Sequence, residues 1–208
     1  MGRAATTTRF FYRRLESLSD IIFGVAMTML IYNVPLNEKL SERPTLAEIW
    51  RVDGHALYAM SLSFAVSLMF WVSHHRRLAF TRYSGNLEFV LTALFLFSIA
   101  FLPLTSSLYG IKGADGDVLT IYATHLAIIA ALNTSLWVVQ SRLKGADTEA
   151  VTRRDFAPAV TAFVSLTAAA LFSSVSVFVA QIFLYSAFLS PLSRKIVGRG
   201  GDRDRQDG

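Results

Sequence analysis

Along the chain, long stretches without Asp, Glu, Lys or Arg alternate with short charged connections. Five such stretches occur, at 21–37 (17 positions), 54–75 (22), 89–111 (23), 118–141 (24) and 156–193 (38). A helix crossing the hydrocarbon core of a bilayer needs about 20 predominantly apolar residues. The last stretch is too long for one crossing, and Ser173-Ser174 near its middle supplies a polar turn between Pro158–Phe172 and Val175–Leu189. The pattern predicts an all-α polytopic membrane protein with six transmembrane helices, at about 17–36, 54–73, 87–109, 118–140, 156–172 and 175–191. Residues 1–193 then form one transmembrane domain, and the Gly-rich, charged segment 194–208 reads as a disordered basic cytoplasmic tail.

The cations orient these helices, because short loops rich in Lys and Arg stay in the cytoplasm. With six spans, the N-terminus, the second and fourth loops and the C-terminus share one side. That side holds Arg3, Arg9, Arg13, Arg14, Arg76, Arg77, Arg82, Arg142, Lys144, Arg153, Arg154, Arg194, Lys195, Arg199, Arg203 and Arg205, or 16 of the 20 cations. Lys39, Arg43, Arg51 and Lys112 fall on the other. Both termini are therefore expected in the cytoplasm, and the net charge of +5 follows from topology without a nucleic-acid partner.

Composition agrees with the hydropathy. Hydrophobic residues make up 53% of the chain and charged residues 17%, against about a quarter charged in a soluble domain. The absence of cysteine excludes disulfides, thiolate metal sites and cysteine nucleophiles. The basic start and first apolar run imitate a signal peptide, and Arg13-Arg14 a twin-arginine signal. Asp20 inside the run and the lack of a small-residue cleavage site favour a retained first helix. In the first outer loop, 45–52 (TLAEIWRV) reads as a short interfacial helix with Trp50 at headgroup level.

Polar residues inside spans are the functional candidates, because the bilayer makes them costly. Asp20 sits at the mouth of the first span, six positions after Arg14, while the second span ends in Trp71-Val72-Ser73-His74-His75 at the same depth. Arg14, Ser19, Asp20, Trp71 and His74 form a candidate network clamping the inner ends of two helices; the alternative is an Asp20 that simply sits in interfacial water. On the first helix Ile21, Val25, Thr28, Met29 and Tyr32 project to one side, with Gly24 and Ala26 allowing close approach. Such a stripe faces lipid, packs in a core or, repeated around a symmetry axis, lines a narrow apolar column. His125 and Asn133 lie eight apart on the fourth span, suited to interhelical hydrogen bonds or to a proton relay. Pro103 falls near the outer end of the third span, where it predicts a kink.

No H-E-x-x-H, Gly-x-Ser-x-Gly, P-loop or dinucleotide turn occurs, so no enzyme, metal centre or cofactor is expected. The carbonyl filter sequence Thr-Val-Gly-Tyr-Gly and regularly spaced voltage-sensor arginines are absent as well. No internal duplication links the two groups of three spans, which argues against an inverted-repeat transporter. A proton-coupled transporter or proton-permeable channel using Asp20, His74 and His125, or a non-conducting membrane scaffold, remain as alternative functions.

Arg14-Leu15-Glu16-Ser17-Leu18-Ser19-Asp20, followed by Ala26-Met27-Thr28-Met29-Leu30, resembles the R-x-x-x-F-S-D signature of the transmembrane protein 175 family of potassium channels. Trp71-Val72-Ser73-His74-His75-Arg76, Leu94-Phe95-Leu96-Phe97 and Phe101-Leu102-Pro103-Leu104 extend the resemblance over the first half of the chain. It implies a six-span subunit of the bacterial single-repeat type, a homotetramer around a pore lined by the first helix, in a bacterial plasma membrane. Potassium is then the permeant ion, passing apolar side-chain rings in place of a carbonyl filter. Carried over by position, Val25 is the tightest ring, Met29 and Tyr32 the next layers, and Thr28 the hydroxyl implicated in selectivity. Arg14, Ser19, Asp20, Trp71 and His74 match the family's inner network. The chain departs from the pattern at Leu18 for phenylalanine, at Val25 for a bulkier residue, at Tyr32 for leucine, and at Thr92 for an asparagine.

Overall fold

The computed structural model describes residues 2–32, 34, 41–80, 86–112, 115–143, 149–173 and 176–189. They form six α-helices: α1 (Gly2–Tyr32), α2 (Leu46–Phe80), α3 (Asn86–Lys112), α4 (Gly116–Leu143), α5 (Glu149–Phe172) and α6 (Val177–Ser186), the last followed by a 3-10 turn at Ala187–Leu189. The predicted tail 194–208 lies outside the described residues.

Four helices contain segments long and apolar enough to cross a membrane: Arg14–Tyr32, Leu46–Leu78, Asn86–Lys112 and Gly116–Arg142. The apolar part of α5 is shorter, Phe156–Phe172. Helix α6 has 10 residues, a length of about 15 Å at 1.5 Å per residue, or half a hydrocarbon core.

Element boundaries differ from the charge-free windows where a helix continues through charged residues. The 45–52 stretch is no separate interfacial helix but the beginning of α2. Thr45 Oγ1 accepts from the Glu48 amide at 3.2 Å, and Glu48 reaches back to Ser41, whose amide and hydroxyl donate to it at 2.9 and 2.8 Å. This start satisfies orphan donors eight residues before the apolar window opens. Asp53, which bounds that window at its start, is buried inside α2. At the other boundary, Ser173 follows α5 and its hydroxyl meets that of Thr120 at 2.7 Å, while Ser176 caps α6 by accepting from the Val179 amide.

Helix α1 lies against α3 and α2, α4 packs on α3 and α5, and α6 packs on α5. Phe23, Val66, Phe70, Phe95, Ile99, Leu102, Leu126, Ile129 and Leu166 fill one continuous core. Helix association in lipid depends on packing and hydrogen bonds more than on hydrophobic transfer, and both devices are visible here. Gly110 lets α3 approach α2 so closely that an added Cβ would stand 3.2 Å from the Ala56 Cα. His125 joins α4 to α3, its Nδ1 2.8 Å from Thr105 Oγ1 and its Nε2 3.1 Å from the Ser98 carbonyl. Helix α3 is continuous through Pro103. Asn133 exchanges hydrogen bonds with Ser73 at 3.2 and 3.1 Å, and Trp137 Nε1 donates to the same hydroxyl.

Candidate functional site

Helix α1 presents two contrasting faces. Ser19, Phe23, Ala26 and Leu30 are buried against the bundle. On the opposite face Leu18, Ile21, Val25, Thr28 and Tyr32 are exposed, with Met29 beside them. Their spacing of three, four, three and four residues is the seam period of helices that associate with other helices. Val25 is 55% exposed and Tyr32 83%, so the subunit itself covers neither. Gly24 lies on this open side, where an added Cβ would meet nothing within 4 Å. The Thr28 hydroxyl is directed back at its own helix, toward the carbonyls of Val25 and Gly24 at 2.8 and 3.1 Å. Its single proton is engaged there, and what it offers outward is oxygen lone pairs.

Midway along α1, two adjacent residues are held by α2. Trp71 Nε1 donates to Asp20 Oδ1 at 2.9 Å, and Ser19 Oγ lies 3.0 Å from His74 Nε2. The His74 ring is buried and stacks on Phe95, centroids 5.3 Å apart, with Phe23 at 6.1 Å. The Trp71 indole stacks on the exposed His75 at 5.5 Å. Asp20 is exposed beyond its hydrogen bond, and Arg14 is exposed six residues before it. Asp20, His74 and His125 do not form one group: each has its own partners, His125 on α3 and the other two at the α1–α2 contact.

One buried ion pair escaped the reading of the sequence. Arg77, counted there among the loop cations, is fully buried and donates from Nη1 to Glu88 Oε1 at 2.9 Å, with side chains 0% and 4% exposed. Its Nη2 stands 3.0 Å from His74 Nδ1 and 3.4 Å from Thr92 Oγ1, and Gln140 Nε2 donates to its carbonyl at 3.1 Å. The one available signal was spacing: position 77 shares the face of α2 that carries Phe70 and His74. Among the described residues no group of His, Asp and Glu is arranged to hold a metal ion.

A bundle with several membrane-length apolar helices, tied by interhelical polar contacts, defines a multi-pass membrane protein. Its residues 14–103 match a family model described as endosomal/lysosomal potassium channel TMEM175. A protein of the bacterium Chamaesiphon minutus named as a potassium channel is 27% identical over 128 residues, which cover 60% of this chain. The matched stretch spans 63% of that relative. The crystal structure of a lysosomal potassium-selective channel TMEM175 homolog, also from Chamaesiphon minutus, shares the fold with a TM-score of 0.69 at 21% identity, over 86% of this chain and 97% of that one.

Proposed function

We propose that the protein is a potassium-permeable cation channel in which four copies of α1 surround the conduction path. The observation that carries this reading is the open face of α1. A helix whose other side is packed into a core leaves Leu18, Ile21, Val25, Thr28 and Tyr32 uncovered at a helix-pairing period, as a helix repeated around an axis would. The relatives named as potassium channels support the choice of ion. In this reading the chain crosses the bilayer six times and both termini face the cytoplasm, as the cation sorting implies.

Conduction follows from the side chains on that face. Val25 forms the narrowest apolar ring, with Met29 and Tyr32 beyond it toward the outside. Potassium sheds hydration water at lower cost than sodium, so an apolar constriction favours it modestly and needs neither a carbonyl filter nor a cofactor. The Thr28 hydroxyls, which offer lone pairs only, suit a partly dehydrated cation. Asp20 at the inner mouth raises the local cation concentration, while Trp71, Ser19, His74 and Arg14 belong to the network that holds the mouth.

Purified protein in liposomes, tested with potassium, sodium and proton gradients, checks the proposal. Channel function predicts rapid potassium flux with unitary currents. Saturable, proton-driven flux without unitary currents would identify a transporter instead, and a tight liposome would leave a scaffold.

A further inference from the structure

The buried Arg77 and Glu88 lie one shell away from the open face of α1, and their hydrogen bonds have a direction. Arginine donates at every side-chain nitrogen and accepts at none. Arg77 Nη2 is 3.0 Å from His74 Nδ1, so Nδ1 presents its lone pair and the ring is neutral with its proton on Nε2. That proton then points to Ser19 Oγ at 3.0 Å, and the Ser19 hydroxyl donates onward to the Leu15 carbonyl at 2.7 Å. Arg77 to His74 to Ser19 to Leu15 is one series in which each donor meets an acceptor. It begins at Glu88, which aims the guanidinium from the first turn of α3, and ends in the backbone of α1.

We propose that Arg77 and Glu88 are positioning residues for α1: the pair holds His74 in its neutral Nε2–H form and thereby sets where the inner end of α1 stands. Two charges taken out of water are a poor device for stability alone, since an apolar pair of the same volume commonly serves a fold as well. A guanidinium at this place does what an apolar side chain does not, which is to donate to His74 Nδ1. A carboxylate at position 77 would do the reverse, accepting a proton from Nδ1 and leaving Nε2 bare toward Ser19. The effect on conduction rests on the channel reading; the tautomer and the anchoring of α1 do not.

The test uses full-length protein, labelled with 15N-histidine and reconstituted in liposomes. The chain has 4 histidines, and His74→Asn identifies the His74 signals in solid-state NMR by their loss. The wild type should show a single neutral His74 ring with bare Nδ1. Exchanging the pair, Arg77→Glu with Glu88→Arg, keeps an ion pair but removes the donor, and should move the ring proton to Nδ1. Arg77→Met with Glu88→Gln removes both charges together and should leave His74 a mixture of tautomers, so it carries the test if the exchanged protein does not fold. In both variants amide exchange at residues 15–23 should rise, and potassium flux should fall about fivefold, the value of one neutral hydrogen bond in a two-state equilibrium. A wild-type His74 with its proton on Nδ1 overturns the proposal. So does a folded variant with the wild-type tautomer, exchange and flux, which would make the pair a clamp between α2 and α3 only. A wild type that carries no potassium refutes the channel reading instead, and the NMR and exchange results still decide this one.

Discussion

The indole Nε1 of Trp71 donates to Oδ1 of Asp20 at 2.9 Å, and one turn further along α2 His74 meets Ser19, the residue before Asp20. Residues three apart share a helix face, whereas adjacent residues leave a helix about 100° apart. One face of α2 therefore grips α1 from two directions, which fixes its rotation as well as its height. That rotation decides that Phe23, Ala26 and Leu30 turn inward and Val25 turns out.

Trp71→Phe keeps a ring for His75 to stack on but loses the donor to Asp20. The expected cost is about 1 kcal/mol, the usual net value of a hydrogen bond at a solvated site. Thermal unfolding in detergent should show a midpoint about 2–4 °C lower, with the helical circular dichroism of the folded state unchanged.

Two glycines should respond in opposite ways. Gly110→Ala forces a methyl toward the Ala56 Cα at 3.2 Å and should destabilise the α2–α3 contact by roughly 1 kcal/mol or more. Gly24→Ala meets nothing within its own subunit and gains helix propensity, worth about 1 kcal/mol in a helix interior. If four α1 helices converge, Gly24→Ala should leave the subunit as stable or more so, yet alter the conductance or the yield of tetramer. Thermal melts beside single-channel recordings separate the two effects.

Phe23→Ala and Val25→Ala separate packing from conduction. Phe23 is 1% exposed in the core. Its truncation should cost about 2 kcal/mol, less than in a soluble core because lipid is as apolar as the site it leaves. Val25 touches no core, so Val25→Ala should change stability by less than about 0.5 kcal/mol. It should widen the constriction and bring the potassium and sodium permeabilities closer together, read as a shifted reversal potential.

Much of this was legible in the chain, for identifiable reasons. Charge-free windows located the helices because charge is costly at membrane depth, and Trp71, His74, Ser19 and Asp20 stood out as polar groups at one depth. The windows could not locate helix ends, since they measure depth and not hydrogen bonding: α2 runs on through Asp53 and begins at a Thr45–Glu48 cap. Arg77 was misplaced for the same reason. Counting cations treats every arginine past the apolar run as solvated, but α2 continues to Phe80 and returns Arg77 to the inward face, where Glu88 on α3 neutralises it. That partner lies across a connection, and only the packing of α2 on α3 reveals it.

Asp20→Asn removes a negative charge from an exposed site on α1, which the channel reading puts at the inner mouth. Inward and outward unitary currents should both fall, more steeply at low ionic strength, because exposed charges act over about 30 Å at 0.01 M salt and 10 Å at 0.1 M. Equal loss at both salt concentrations would assign Asp20 to the Trp71 contact alone.

If the uncovered face of α1 is the wall of the ion path, the absence of cysteine from the chain allows a direct test. Single cysteines placed along α1 carry no background, and silver ions, small enough to follow potassium, block a channel where they meet a thiol in its pathway. Current through Leu18→Cys, Ile21→Cys, Val25→Cys, Thr28→Cys and Tyr32→Cys should be blocked, while Phe23→Cys, Ala26→Cys and Leu30→Cys should conduct unaffected. Block at the second set, or at neither, would contradict the account.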